Sequence, residues 1–456
     1  MELNKTYQDI ECIDLNTDFQ GIAFIDNKKV FIENFLPDEI ADVKVTTIKS
    51  KFAKGEVKTF KQKSPMREGS LQSEQPYAYF GGCDLQTLNY DSQLKIKKQL
   101  TEKTAKLQDR NTQYVFDAVE ASPKQTHYRN KIHYQLYFDP FDAVIKAGFF
   151  LKGTKKLVEV KENILADEKI VKILPKVLLK LNEHQIKIAN IKEQVQGLKA
   201  VMFRWSETKK QMMVIFVATT KNIKKIERVA KELVRENNVI KSVYLNINGK
   251  NQGSILGRQM LLLAGKEAIQ DELLGMTFNI PATAFYQVNA PQTAKIYQHV
   301  LDIIAADKKA TVIDFYCGIG TMTNLIAPQV HKAIGIDIVE ESINAAKQNA
   351  IINNIANSEF VAEDVNTFIQ EYKKVDASLI AIIDPPRSGC TPEFIEKLTE
   401  LNPDKVIYIS CNPKTLITDL KAFNERGFEH EEIKLYDMFP QTLHVESVVL
   451  LSRVQK

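Results

Sequence analysis

The sequence predicts an α/β protein in which a mostly parallel, doubly wound sheet follows a small OB-like β-barrel and a central α+β domain. Three observations predict it: short alternating strands in residues 1–63, mixed strands and helices between residues 128 and 273, and strict alternation of apolar strands with helices from Ala310 onward. The chain has 456 residues, too many for one ordinary core. We therefore predict three domains, at 1–63, 70–275 and 280–456.

The N-terminal domain is predicted to be a barrel of five short strands, with a turn signal at Asp26-Asn27. The predicted strands are 6–15, 21–25, 29–32, 41–48 and 55–60. Its later half is rich in lysine. A charge run alone is more often a solvated face, but on an OB-like barrel these side chains are also placed to follow a phosphate backbone. The lysines are Lys44, Lys49, Lys51, Lys54, Lys58, Lys61 and Lys63.

The central domain does not identify any chemistry by itself. A polar linker at 62–75 precedes a lysine-rich amphipathic helix at 93–107, and strands and helices then mix as in an α+β domain. The predicted strands are 133–138, 212–217 and 242–247, and the predicted helices are 170–182 and 223–237.

The C-terminal part alternates short β-branched strands with helices, which indicates a parallel sheet covered on both faces. Helices are expected to open at Met322 and to cover 340–353. The last two predicted strands are expected to extend the sheet in antiparallel orientation. The predicted strands are 311–315, 332–336, 359–361, 379–383 and 406–409, followed by 431–438 and 445–454.

Composition and charge describe an ordinary globular chain. Hydrophobic residues make up 44% and charged residues 26%, and the net charge of +4 is slight, so any basic surface must be local. The N-terminus lacks the apolar core of a signal peptide, and no apolar run reaches the roughly 18 residues of a membrane span. We therefore expect a cytoplasmic protein without membrane contact, and a monomer by default.

The cysteines are scattered, odd in number and contain no Cys-x-x-Cys pair. This pattern argues against a disulfide framework and against a zinc ribbon. The five are Cys12, Cys83, Cys317, Cys390 and Cys411.

A glycine-containing turn follows the first strand of the C-terminal part, in the run Asp314-Phe315-Tyr316-Cys317-Gly318-Ile319-Gly320-Thr321. Glycines let the backbone turn sharply and approach a ligand. The next strand ends in Asp337, which is placed to accept hydrogen bonds from ribose hydroxyls. Position 323 is Thr, so the third glycine of a dinucleotide fingerprint is missing. S-adenosylmethionine (SAM) has no pyrophosphate and does not need it, so SAM is favoured over NAD.

Two further motifs follow buried strands. Asp384-Pro385-Pro386-Arg387 is a loop stiffened by two prolines, which suits a site that holds a flat base or cofactor, although a simple strand stop is the alternative. Ser410-Cys411-Asn412-Pro413 puts Cys411 at a strand tip. A lone cysteine is more often inert and buried, but this position makes a nucleophile about as plausible.

These motifs and two others occur in the order found in a known family. The others are Phe285-Tyr286-Gln287-Val288-Asn289 and His444-Val445-Glu446-Ser447, and the segments Gly81-Gly82-Cys83-Asp84-Leu85-Gln86 and Tyr128-Arg129-Asn130-Lys131 also resemble the central domain of that family. The chain resembles the RNA uridine-5-methyltransferases over almost its whole length, and its barrel resembles the TRAM domain that some members carry. The resemblance implies a Rossmann-like, SAM-dependent methyltransferase domain that acts on C5 of a uridine in RNA, with the barrel and the central domain binding RNA.

The resemblance also implies roles for single residues. Cys411 would be the nucleophile, Glu446 the base, and Phe285 would stack on the flipped uracil. The residues expected to contact SAM are Gln287, Tyr316, Gly318, Asp337 and Asp384, with Thr321 and Asp364 at neighbouring family positions. Further RNA contacts are expected from Arg129, Lys131 and Arg387.

The chemistry requires these groups. Uracil C5 is too weak a nucleophile for methyl transfer until a thiolate adds to C6, and a base must then remove the C5 proton. A thiol with a pKa near 8.5 is only a few per cent thiolate at neutral pH, and the sequence does not show what activates it. The uridine must also flip out, which costs a few kcal/mol.

One departure from the family matters for cofactors. Many relatives hold an iron–sulfur cluster with Cys-x5-Cys-x2-Cys, but the matching positions here are Glu74, Phe80 and Cys83. One remaining thiolate cannot hold a cluster, so no iron–sulfur cluster and no metal are predicted. The TRAM-like domain favours 23S ribosomal RNA over the tRNA T-loop, because the usual bacterial tRNA members lack it.

Several other functions fit the sequence less well. An amino-group methylase would more often end its strand in Asn/Asp-Pro-Pro-Tyr, and a cytosine-5 RNA methylase would place a second Cys after the prolines, where Arg387 stands. A non-catalytic RNA-binding factor would not need Cys411 and Glu446. A dehydrogenase would bind NAD rather than SAM.

Overall fold

The computed structural model of the protein describes residues 1–68, 82–160, 162–190, 193–249, 255–373 and 378–454. Glu74 and Phe80, at two of the positions matched to the iron–sulfur motif, lie outside the described residues, as does the second half of the predicted linker. Among the residues that the structure describes, none of the helices combines the length and hydropathy needed to span a bilayer.

The N-terminal domain has six strands rather than the five predicted. The predicted strand 6–15 is divided because the chain changes partner, pairing first with the fifth strand and then with the third. The strands pair in the order β1-β5-β6-β4-β3-β2, and alternate residues such as Val43 and Val45 fill the core. The strands are β1 (Thr6–Glu11), β2 (Asp14–Leu15), β3 (Gln20–Ile25), β4 (Lys28–Glu33), β5 (Ile40–Ile48) and β6 (Ala53–Gln62).

A long helix and a single short strand follow in the chain. Helix α1 (Tyr90–Gln108) is capped by Asn89, whose side-chain oxygen accepts a hydrogen bond from the Ser92 N–H at 2.9 Å. Strand β7 (Phe116–Glu120) lies inside the predicted central range 70–275 but joins the sheet of the C-terminal part. The three domain ranges therefore stay predictions.

In the described part of the chain, the central sheet has seven strands in the order β10-β9-β8-β11-β12-β13-β14. Two helices cover one face of it. The other face, with Met202, Met213 and Tyr244, packs against a hairpin that leads into the C-terminal part. The elements are β8 (Lys131–Asp139), β9 (Val144–Phe150), β10 (Leu157–Glu159), α2 (Glu168–Glu183), β11 (Leu198–Ser206), β12 (Gln211–Ala218), α3 (Ile226–Glu236), β13 (Ile240–Ile247), β14 (Gln259–Gly265) and the hairpin β15 (Ala268–Leu273) and β16 (Met276–Pro281).

The C-terminal part confirms the predicted doubly wound α/β sheet. Five parallel strands pair in the order β19-β18-β17-β20-β21, and antiparallel β24 extends the sheet towards β23 and β7. The elements are α4 (Ala290–Ile304), β17 (Thr311–Phe315), α5 (Thr321–Ile326), β18 (Lys332–Asp337), α6 (Glu340–Ile352), β19 (Ser358–Ala362), α7 (Val365–Glu371), β20 (Leu379–Ile383), α8 (Pro392–Glu400), β21 (Lys405–Ser410), α9 (Pro413–Asn424), β22 (Phe428–His430), β23 (Ile433–Tyr436) and β24 (Glu446–Arg453).

The order of these parallel strands puts a switch point beside β17, because the chain runs from β17 to β18 and β19 on one side and to β20 and β21 on the other. Open α/β sheets bind ligands outside the carboxyl ends of the strands at such a point. A ligand site is therefore expected at this edge.

Candidate active site

A cleft opens at the carboxyl ends of β17 and β20, at the predicted edge of the sheet. Its lining includes six of the residues that the sequence predicts for the site. They are Phe285, Gln287, Tyr316, Gly318, Thr321 and Asp384.

The turn after β17 bends back over this cleft. Tyr316, Gly318 and Gly320 all have positive φ, of 68°, 55° and 69°. A Cβ added to Gly320 would stand 2.6 Å from the Phe360 ring, so this glycine is needed for packing. A Cβ added to Gly318 would meet nothing within 4 Å. Gly318 therefore leaves open space where its backbone lines the cleft.

Asp337, at the end of β18, holds this turn in place. One of its carboxylate oxygens accepts a hydrogen bond from the Gly318 N–H at 3.0 Å, and the other from the Val339 N–H at 2.8 Å. A carboxylate has about four lone-pair sites. Asp337 thus keeps acceptor capacity for the hydroxyls of a ligand such as a ribose.

Asp314 is a buried acid in the wall of the cleft, and the sequence did not single it out as a site residue. Its carboxylate accepts a hydrogen bond from the Thr323 hydroxyl at 2.6 Å. Burial, with a smaller effect of the Asp384 charge, raises the pKa of Asp314 to about 7. The sequence shows only an acidic residue near the end of a strand, and it does not reveal the hydrogen bond to Thr323.

Cys411 and Glu446 come together because their strands are neighbours. Strands β21 and β24 are antiparallel, and Ser410 pairs directly with Ser447. Cys411 is the residue after Ser410, and Glu446 is the residue before Ser447, so both occupy the same end of the strand pair. Residues far apart in the chain are thereby brought to one edge.

The pKa shifts of Cys411 and Glu446 are consistent with side chains that lie close together at this edge. Burial raises the pKa of Cys411, and the charges of Glu446 and Asp384 raise it further. Burial also raises the pKa of Glu446 well above its usual range, with a further contribution from Asp384. Burial raises the pKa of Asp384 to about 7. The Arg387 guanidinium opposes the shifts of both Cys411 and Glu446.

The two motif loops are tied together through Arg387. The Asn412 side-chain N–H donates to the Arg387 carbonyl at 2.8 Å. The Arg387 guanidinium faces the His444 ring, with Nη2 at 3.2 Å from Nε2. Burial, followed by the Arg387 charge, lowers the pKa of His444 to about 4, so its ring is neutral near pH 7 and one of its two nitrogens is an acceptor.

Phe285 projects from a braced segment at the mouth of the cleft. Its side chain is 65% exposed. Two side chains of the central domain hold this segment. The Asn130 side chain donates to the Gln287 carbonyl at 3.0 Å, and the Arg204 guanidinium donates to the Ala284 carbonyl. An exposed aromatic ring on a fixed backbone can stack on a base.

Three further predicted site residues, Arg129, Lys131 and Asp364, are not among the described residues that line the cleft. The Arg129 guanidinium lies over the rings of Tyr128 and Phe439, at 5.9 and 5.8 Å. Burial, with the neighbouring Arg204 charge, lowers the pKa of Lys131 to about 8. Asp364 instead caps helix α7 and accepts from the Asn366 N–H at 2.9 Å.

Cys83 lies in an apolar cluster with Tyr128, Val160 and Leu165. Burial raises the pKa of its thiol to about 12. Within the described ranges, no group of three or more His, Cys, Asp or Glu side chains is arranged to hold a metal ion.

Comparisons with known proteins point to one family. The profile of the tRNA (uracil-5-)-methyltransferases matches residues 89–454, and that of the TRAM domain matches residues 6–58. An uncharacterized RNA methyltransferase of Bacillus cereus is 32% identical over 450 residues, which cover 98% of this chain and 97% of that protein. Another, from Lactiplantibacillus plantarum, is 35% identical over 453 residues, with coverage of 98% and 97%.

A solved structure shows the same fold. The Pyrococcus abyssi tRNA (uracil-54, C5)-methyltransferase, in complex with S-adenosyl-L-homocysteine, superposes with a TM-score of 0.75 at 24% identity. The match covers 97% of this chain and 99% of that one, so the likeness in fold extends over all of its parts.

Proposed function

Because the chain belongs to the tRNA (uracil-5-)-methyltransferase family and carries a TRAM domain, we propose that it methylates C5 of a uridine in RNA with SAM, through a covalent bond between Cys411 and C6. The observation that carries this proposal is the register of β21 and β24, which brings the Cys411 thiol and the Glu446 carboxyl to one strand edge beside the cleft.

The cleft suits SAM. Open space at Gly318 allows a ligand to lie against the backbone of the turn, and Asp337 beside it retains acceptor capacity. Gln287, Tyr316, Thr321 and Asp384 line the cleft and would complete the contacts. Asp364, the remaining predicted SAM contact, caps α7. When bound, SAM supplies the electrophilic methyl group that uracil C5 accepts.

The protein's own groups would carry the remaining steps. The Cys411 thiolate adds to C6 of the uracil, and the electron pair of the C5=C6 double bond makes C5 nucleophilic. After methylation, the Glu446 carboxylate takes the C5 proton. The electron pair of that C–H bond restores the double bond and expels the Cys411 thiolate. The raised pKa of Glu446 makes its carboxylate a stronger base for this step.

The uridine must leave its stack to reach Cys411. Flipping costs a few kcal/mol, and base–aromatic stacking recovers about 1–3 kcal/mol per base. Phe285, exposed on a braced segment, is placed to provide that stacking. Arg129, Arg387 and Lys131 would contact the RNA around it.

We propose 23S ribosomal RNA as the substrate, with the tRNA T-loop uridine as the second candidate. The TRAM domain supports the first. The second is kept because the Pyrococcus tRNA methyltransferase matches this fold over 97% of the chain. Mapping 5-methyluridine in ribosomal and transfer RNA of a strain that lacks the gene decides between them, since the missing modification identifies the substrate.

The mechanism is tested with RNA that carries 5-fluorouridine at the target. This analogue has no C5 proton to lose, so the covalent adduct should persist on denaturing gels when SAM is present. The intact protein and the Cys12→Ala variant, which changes a buried cysteine of the N-terminal domain, should both form the adduct. Cys411→Ala should not. An adduct that persists in Cys411→Ala would overturn the assignment of the nucleophile.

A further inference from the structure

A buried lysine on α1 holds the segment that leads to Glu446. Lys97 is 1% exposed, and its ammonium donates to the Asp437 carboxylate, to the Phe439 carbonyl at 3.0 Å and to the His444 carbonyl at 2.8 Å. An ammonium has three N–H donors, and here each has an acceptor. All three acceptors belong to residues 437–445, the connection between β23 and β24.

Other side chains of α1 bind the same connection. The Tyr90 hydroxyl donates to the second oxygen of Asp437 at 2.8 Å. The Gln93 amide donates to the Gln441 side-chain oxygen at 2.8 Å and accepts from the Gln441 N–H at 3.0 Å. Gln441 has a φ of 69°, which is unfavourable for a residue other than glycine. The connection is therefore held in a shape that its own sequence does not favour.

The connection bears directly on the catalytic edge. His444, whose carbonyl Lys97 holds, presents its ring to the Arg387 guanidinium at 3.2 Å. Two residues later, Glu446 opens β24. One of the three Lys97 contacts, the His444 carbonyl, thus lies two residues from the proposed base.

Stability alone does not explain this lysine. Burying an ammonium and a carboxylate requires their desolvation, and well-packed apolar residues of similar volume often stabilise a protein equally or better. A group that donates to one carboxylate and two backbone carbonyls instead fixes the path of the chain.

We propose that Lys97 is a positioning residue for proton removal, because it fixes the connection 437–445 and with it the place of the Glu446 carboxylate relative to Cys411. This inference rests on the proposed function of Glu446. It assigns to α1, which lies far from the nucleophile in sequence, control over the second half of the reaction.

The test is the Lys97→Met variant with ordinary uridine RNA and SAM. A misplaced Glu446 slows removal of the C5 proton while Cys411 still adds to C6. Turnover should fall by up to about 100-fold, the effect of roughly a 1 Å misplacement, and a covalent protein–RNA adduct should accumulate on denaturing gels. The matched control is Lys98→Met, which changes the next residue of α1, where the lysine is partly exposed and pairs with Glu102. It should turn over normally without adduct.

A purely structural role would give a different result. Lower stability reduces the amount of folded enzyme and slows both steps together, so no adduct would accumulate. Because Lys97→Met leaves the Asp437 carboxylate buried without its charged partner, the double variant Lys97→Met/Asp437→Asn is measured as well. If a folded variant loses turnover without adduct, or turns over like the intact protein, the inference is overturned.

Glu446→Gln separates this inference from the proposed function. If Glu446 is the base, Glu446→Gln accumulates adduct whatever Lys97 does. Adduct in Glu446→Gln but not in the Lys97 variants overturns the positioning role alone. Absence of adduct in Glu446→Gln overturns the proposed base, and the positioning inference with it.

Discussion

Replacing Gly318 by Ala tests whether the turn after β17 lies against SAM. Gly318 has a φ of 55°, and a Cβ there would meet no protein atom within 4 Å. The substitution therefore introduces backbone strain of roughly 1–2 kcal/mol without any clash inside the protein. A domain with about 5–15 kcal/mol of stability tolerates that loss and stays folded.

SAM affinity should also fall, because the added methyl group would occupy space that the bound ligand needs. A methyl group added to a filled, well-packed site costs roughly 1–3 kcal/mol, which corresponds to about a 5- to 150-fold weaker affinity. Titration calorimetry with SAM measures this change, and urea denaturation measures the loss of stability.

Gly427→Ala is the matched control. Gly427 has a φ of 82° in the turn after α9, and a Cβ there would also meet nothing within 4 Å. Both variants should lose similar stability, but only Gly318→Ala should lose SAM affinity. Unchanged SAM affinity in Gly318→Ala, or an equal loss in Gly427→Ala, would refute the placement of SAM in this cleft.

Three further predictions concern RNA binding and pH. Phe285→Leu should weaken RNA binding by roughly 1–3 kcal/mol in a gel-shift titration and leave SAM affinity unchanged; a loss of SAM affinity would contradict it. Because the pKa of Asp314 is raised from 3.8 to about 7, its contribution to stability is complete below about pH 4 and is lost as the pH rises to about 7. The free energy of unfolding should therefore fall less over this range in Asp314→Asn, and an identical pH dependence in urea titrations would count against the buried acid. Replacing the exposed Lys49, Lys51 and Lys54 by Gln should reduce the slope of log RNA affinity against log salt concentration. The expected reduction is roughly 0.7–0.9 for each phosphate that is no longer neutralised. An unchanged slope would show that these lysines are solvated and do not contact the RNA.

Local patterns predicted much of the sheet because each strand carries its own signal. The predicted strands 311–315 and 379–383 agree with the structure, because short apolar runs between helices typically form buried strands. Strand β7 was not predicted. Its pairing with β23 joins segments that are distant in the chain, and nothing local in Phe116–Glu120 specifies that partner. The division of the first predicted strand into β1 and β2 likewise depends on a change of partner.

The site was predictable to the extent that its residues follow strand ends. Cys411 and Asp384 could be found because the carboxyl ends of parallel strands share one edge. Lys97 and Asp314 could not be given roles in this way. A lysine on a polar helix looks like a solvated side chain, and only the packing of α1 against the connection 437–445 shows that Lys97 is enclosed.

The charges at the strand edge act on the Cys411 thiol in opposite directions. Burial and two neighbouring carboxyl groups raise the pKa of its thiol, which works against the thiolate that the proposed addition needs. Arg387 acts in the opposite direction on both Cys411 and Glu446. His444 is uncharged near pH 7, so its contact orients this guanidinium without neutralising it. The arginine that follows the two prolines therefore offsets part of the upward shift in the pKa of the Cys411 thiol, and the hydrogen bond from Asn412 to its carbonyl ties the loop after β20 to the loop after β21.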